Sequence, residues 1–244
     1  MTAAVTVATA RRVLAQLRHD RRTVGLLLVF PAVLMTILRY VFDDGPAFDR
    51  IAPALLGIFP FTVMFLVTSV ATLRERRGGT LERLMTMPMG RLDFLLGYAL
   101  AFGLVALLQV AVVTAVTVGP LGLDVAGPLP LLALVAVLDA LLGTALGLAV
   151  SAFARTEFQA VQFLPVVVLP QALLCGLFVA RDRMAPLLEW VSAALPLSYA
   201  VEAMNLVTRF AEPPGELWWD VAVVAGASLL ALAVGAATLR RRSP

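Results

Sequence analysis

Apolar runs long enough to cross a bilayer, at roughly 20 residues each, recur along this chain and leave only short stretches between them. A run of that length can enter a membrane only with its backbone hydrogen bonds closed internally, which makes each run a helix. Hydrophobic residues are 61% of the 244 positions, charged residues are 14%, and the mean hydropathy is +0.93. A soluble core of that composition would lack the polar residues to cover it. The predicted fold is therefore an all-α integral membrane protein with six transmembrane helices, forming one transmembrane domain over residues 1–244.

The spans read as 23–42, 51–72, 94–118, 129–153, 158–180 and 217–239. Pro31 is expected to kink the first, where Arg39 can snorkel. Pro165 and Pro170 are spaced to bend or break the fifth. Residues 1–22 place Val5, Ala8, Val13, Leu14 and Leu17 at helical spacing opposite Arg11, Arg12, Arg18, Arg21 and Arg22, the pattern of an amphipathic interfacial helix on the inner leaflet. No cleavage site of a secretory signal follows it. Residues 181–216 are apolar only in patches and read as an outer helical hairpin, re-entrant or lying on the surface, before the last span.

Orientation follows from the arginines, which supply all of the basic charge, there being no Lys. The N-terminus, residues 73–93, the link 154–157 and the C-terminus hold fourteen Arg against five in the other loops. Positive charge is retained inside, so both termini are expected in the cytoplasm.

Few residues within the spans carry chemistry. Asp139 lies ten residues into the fourth span, where a charged acid costs about 2.5 to 3.5 kcal/mol on insertion scales. It reads either as a proton, cation or translocation-path group, or as a packing residue hydrogen-bonded to Gln109, Gln162 or Gln171. Cys175 is the one cysteine and His19 the one histidine, so no metal cluster of those residues is available. No catalytic motif is visible, and the lack of Lys excludes a P-loop in this chain. Phe61 and Phe65, with Gln171, are weak candidates for lining a path through the bundle.

The stretch Arg74 to Asp93 is a charged island between two spans. Thr80 is a helix-starting residue, Glu82 supplies an early acid, Leu81, Leu84 and Met85 make an apolar face, and Pro88 closes a short amphipathic helix. Gly78 and Gly79 before it permit a sharp turn. The island reads as the place where a cytoplasmic partner grips the membrane part.

The run Arg74-Glu75-Arg-Arg-Gly-Gly79-Thr80-Leu81-Glu82-Arg-Leu84, then Pro88 and Leu96-Gly97, resembles the signature cytoplasmic loop of type-2 ABC transporter permeases. Leu173-Leu174-Cys-Gly176-Leu177-Phe178, followed by Leu195-Pro196-Leu197-Ser198-Tyr199-Ala200-Val-Glu202-Ala203, resembles the hairpin that precedes that family's last span. Two positions depart from the pattern: Arg77 stands where a second acid is frequent, and Tyr98 where a basic residue is frequent.

The resemblance implies a permease subunit of an ATP-driven exporter in the cell membrane. It implies pairing with itself or a sister permease, and with two copies of an ABC ATP-binding subunit that would bind ATP and Mg. This chain is then expected to hold no cofactor, to catalyse no reaction and to bind no nucleic acid. The implied coupling residues are Glu75, Gly79, Thr80, Leu81, Glu82, Leu84 and Pro88, and the implied cargo is hydrophobic or amphipathic, a drug, a lipid or similar. Two other classes fit hydropathy alone. One is a proton- or ion-coupled secondary transporter using Asp139, against which no paired internal repeat is visible. The other is a membrane scaffold that recruits a soluble enzyme through the island.

Overall fold

The structure, a computed structural model, describes residues 3–42, 45–77 and 91–238. Among these, nine α-helices follow one another: α1 (Ala3–His19), α2 (Arg21–Val41), α3 (Gly45–Arg77), α4 (Arg91–Val118), α5 (Leu129–Val150), α6 (Glu157–Leu174), α7 (Pro186–Ala194), α8 (Pro196–Arg209) and α9 (Glu216–Thr238). A 3-10 turn, Arg181–Arg183, precedes α7. Six helices, α2 to α6 and α9, are long and apolar enough to cross a membrane.

The boundaries differ from the sequence reading where a local signal was outweighed. The second span, expected over 51–72, extends from Gly45 to Arg77. Pro46 suits a first turn, whose N–H groups have no intrahelical acceptor. At the other end Arg74, Arg76 and Arg77 are good helix formers that complement the negative end of the dipole. Asp49, outside the expected span, is thereby helical. The fifth span, expected to reach 180, stops at Leu174 because Gly176 adopts φ +94°, a conformation that ends a helix and that L side chains rarely adopt. It remains one continuous helix through Pro165 and Pro170, so of the expected bend or break the break does not occur. The fourth span, α5, ends at Val150 rather than 153.

Helix α1 buries Thr9, Ala10 and Val13, while Ala8, expected on the apolar face, is exposed. What it covers is protein: α1 packs along α4, and a Cβ on Gly97 would stand 2.6 Å from Thr9 Cβ and 3.0 Å from the Thr6 carbonyl oxygen. Arg39 is also drawn inward. Its Nε donates to the Leu121 carbonyl (3.1 Å), its Nη1 donates to that of Phe42 (3.2 Å), and its guanidinium lies over the Phe48 ring. The carbonyls it satisfies belong to a helix end and a loop, which outweighs simple snorkelling.

The stretch 181–216 divides into two helices of opposite character, meeting at Leu195-Pro196. Helix α7 is largely exposed, with Trp190 at 80%. Helix α8 is packed into the bundle against α3, α5 and α9 and buries Leu197, Val201, Met204 and Val207 completely. Its last turn is tied to the loop before α5, where Ala126 N–H and Gly127 N–H donate to the Thr208 and Val207 carbonyls, each at 3.0 Å. A Cβ at Gly127 would collide with that Val207 carbonyl, so the loop approaches only because the residue is glycine.

Candidate functional site: the island root and the α3–α5 seam

The seam between α3 and α5 is the most extensive helix pairing in the fold. On α5, Asp139, Gly143 and Gly147 follow one another at four-residue spacing, and on α3 Gly57, Phe61 and Phe65 do the same. A Cβ on Gly143 would strike the Phe61 carbonyl, and one on Gly147 would stand 2.5 Å from that of Phe65. A Cβ on Gly57 would lie 3.0 Å from Asp139 Oδ2. The three pairs ascend together, so α3 and α5 run in the same direction, as two spans separated by one return helix must. Small residues at this spacing let the two backbones close up, the packing device of membrane helices.

Asp139 therefore occupies a place in the stripe where a small residue would pack. It is 0% exposed, and among the described residues neither carboxyl oxygen has a hydrogen-bond partner. The glutamines proposed from the sequence to meet it are elsewhere. Gln109 Nε2 donates to the Leu27 carbonyl (2.9 Å), and Gln162 is exposed. Gln171 Nε2 donates to the Val167 carbonyl (3.0 Å) while its Oε1 accepts from Leu197 N–H (3.4 Å). The packing hydrogen bond is thus overturned, because these side chains have nearer backbone groups to satisfy. An unsatisfied buried polar group costs about 1 to 3 kcal/mol, and more when charged, which marks Asp139 as a residue with another use or another state.

Phe61 and Phe65 lie within the same seam and are fully buried between helices of one chain. Gln171 instead fastens α6 to the start of α8. Nearby, Ser192 Oγ donates to the Leu174 carbonyl (2.8 Å) and lies 3.2 Å from Ser198 Oγ. At the same end of the molecule Arg181 Nη1 pairs with Glu202 Oε2 (2.5 Å) and its guanidinium lies over the Tyr199 ring. Asp220 of α9, which the sequence reading did not single out, is nearly buried and within electrostatic reach of both Arg181 and Glu202. Its sequence signal was an acid one turn into an apolar helix.

The root of the island is built at the opposite end of α3. Glu75, in the last turn of α3, accepts from Gln16 Nε2 (3.2 Å) and pairs with Arg12 Nη1 (3.5 Å), both on α1. Arg12 Nη2 also donates to Tyr98 Oη (3.0 Å) at the start of α4. One arginine thus joins the helix that enters the island to the helix that leaves it. Arg74 Nε and Nη2 donate to the two carboxyl oxygens of Glu157, each at 2.9 Å, tying the same turn to α6. Between α1, α3 and α4 lies a cavity of about 320 Å³, with Leu17, Asp20, Arg74, Glu75 and Tyr98 on its wall. Asp20 caps α2 by accepting from Thr23 Oγ1 (2.6 Å) and Thr23 N–H (3.1 Å), which holds its carboxyl below the ordinary carboxylate value.

Of the coupling residues expected from the sequence, Glu75 stands in this clamp. Gly79, Thr80, Leu81, Glu82, Leu84 and Pro88 lie outside the described residues. Arg12, Gln16 and Glu157 were missed as parts of the root. Arg12 and Gln16 share one helix face at four-residue spacing and border the buried face at Val13, a signal that the even scatter of arginines in residues 1–22 concealed.

Residues 3–207 match the sequence pattern of the family described as "ABC-2 type transporter". The chain belongs to that family. Among curated members, this ABC-2 chain is 28% identical over 175 residues to "Inner membrane transport permease YhhJ" of Escherichia coli K12, covering 71% of the chain and 46% of the relative. It is 27% identical over 169 residues to "Probable multidrug ABC transporter permease YbhS" of the same bacterium, covering 68% and 45%. It is 26% identical over 175 residues to "ABC transporter G family member 20" of Dictyostelium discoideum, covering 72% of the chain and 24% of that protein. The chain thus matches less than half the length of each of these relatives. As an ABC-2 member with six apolar helices it is a multi-pass membrane protein.

Proposed function

We propose that this chain is the membrane-spanning permease subunit of an ATP-driven exporter, working with a separate ABC ATP-binding subunit present in two copies and with a second permease, identical or related. Cargo would be a hydrophobic or amphipathic molecule, such as a drug or lipid, moved out of the cytoplasm by alternating access. The chain would sit in the cell membrane as one permease domain with both termini in the cytoplasm, α1 at the inner surface and residues 181–216 on the outer side. ATP and Mg would be bound and hydrolysed by the partner, leaving this chain without a cofactor and without a catalytic group.

The observation that carries this reading is the clamp at the root of the island. A push on residues 78–90 would reach α3 through Glu75, α1 through Arg12 and Gln16, and α4 through Tyr98. A loop whose only task was to hold topology would not need its two flanking helices joined by one arginine. Family membership and relatives named as permeases, one of them a probable multidrug permease, support the same reading. ABC-2 membership also favours a nucleotide-driven machine over an ion-coupled carrier.

The deciding experiment is purification from mild detergent of the wild-type chain and of Glu82→Arg. A P-loop ATPase is expected to co-purify with the wild type and to be lost, or no longer stimulated, with the variant. A folded wild-type chain that brings down no ATPase would defeat the proposal.

A further inference from the structure

The α3–α5 seam contains one ionisable group that its packing does not explain. Every other stripe position at that interface is glycine or phenylalanine, whereas Asp139 places a carboxyl group there with no exposure and no hydrogen-bond partner among the described residues. Three nearby polar side chains are turned to backbone carbonyls: Thr144 Oγ1 donates to that of Ala140, Gln171 to that of Val167, and Ser192 to that of Leu174. No basic residue lies in the middle of the helices packed on α5, because the arginines of α3 and α8 are at Arg50, Arg74 and beyond, and at Arg209. Among the described residues, then, no side chain supplies this carboxyl group with a donor or a counter-charge.

What covers Asp139 is suited to withdrawing. Gly57 presents bare backbone to it, and the Met204 thioether of α8 stands at the same point, 3.1 Å from where a Gly57 Cβ would be. Methionine has three rotatable bonds and a polarizable end, so it can fill this gap or leave it at small cost. Glycine in place of any larger residue keeps the approach to the carboxyl group open once the helices part. Phe61 follows one turn along α3, offering an apolar wall beside the acid.

We propose that Asp139 is a recognition site for a protonated amine carried on an apolar body, closed in this arrangement by Gly57 and Met204 and exposed when α3 and α8 draw away from α5. An ammonium group supplies both the positive charge and the N–H donors that the carboxyl group lacks, and the seam around it accepts the apolar part. The site narrows the cargo of the proposed exporter to cationic amphipaths, and in that respect it rests on the exporter reading.

The test uses the full chain in phosphatidylcholine nanodiscs without nucleotide or partner, with dodecylamine as probe and dodecanol as the neutral control of equal chain length. The wild-type thermal midpoint is expected to rise with the amine well beyond its change with the alcohol, since a ligand that binds the folded state stabilises it. Asp139→Leu, which removes the orphaned carboxyl group while keeping its branching, is expected to respond equally to both probes. Asp139→Asn keeps the shape and is expected to need at least tenfold more amine for half the wild-type shift. Equal responses to amine and alcohol in the wild type, or an undiminished amine response in Asp139→Leu, would overturn the inference. An ATPase that co-purifies with a chain indifferent to the amine would remove the site and leave the exporter reading standing. Amine binding by a chain that recruits no ATPase would keep the site and remove its role in ATP-driven export.

Discussion

Gly143 and Gly147 set how close α3 and α5 come, because any side chain there meets a backbone carbonyl rather than a movable side chain. Gly143→Ala is expected to destabilise the fold by about 1 to 3 kcal/mol through overpacking, read as a lower thermal midpoint in detergent. Gly25→Ala is the contrasting case, since a Cβ there would meet nothing within 4 Å inside an exposed helix face. It should stabilise by about 0.4 to 1 kcal/mol in the same assay, from the smaller entropy of the unfolded chain. Asp20 gives a pH-dependent effect whose sign follows from its lowered carboxyl value. Its contribution to the start of α2 is present above the unfolded value near 3.8 and is lost as pH falls through the lower folded value. Helicity at the start of α2, followed by hydrogen exchange, should therefore differ between wild type and Asp20→Ala at neutral pH and converge in strong acid.

At the scale of elements, the clamp and its packing along α4 tie α1 to the bundle. The Arg12–Glu75 pair is partly shielded, with side-chain exposures of 30% and 12%, whereas Arg74–Glu157 is exposed at 61% and 52%. A double-mutant cycle should accordingly give the first pair the larger coupling, and the second well under 1 kcal/mol and vanishing in high salt. Tyr98→Phe removes one partner of Arg12 and should raise amide exchange over residues 3–19 without lowering the overall thermal midpoint appreciably. Six helices, their order and the charged island were readable from composition and run length. The split of 181–216 into an exposed α7 and a buried α8 was not, because Glu202 and Arg209 gave α8 a surface-like sequence. Arg181 neutralises Glu202, and that pairing across a loop has no local signature.

For the whole molecule, orientation is open to a direct check. The lone thiol, Cys175, is buried, so it should resist an impermeant maleimide until the protein is denatured. In a Cys175→Ser background, cysteines at Arg18 and Arg155 should label from one side and a cysteine at Glu189 from the other. Labelling of all three from one side would break the six-span arrangement.

The class of molecule was legible from the sequence alone: run length and the obligation to close backbone hydrogen bonds in lipid impose helices, and the distribution of arginine gives an expected orientation. It also marked Asp139 and the island as exceptions, since polarity within or between apolar runs is visible locally. What those exceptions meet is a matter of the folded arrangement. Which oxygen remains without a donor, and which arginine turns from a solvated face to join α1, α3 and α4, depends on helix register and on neighbours far apart in the chain. A one-dimensional pattern of hydropathy does not contain that register.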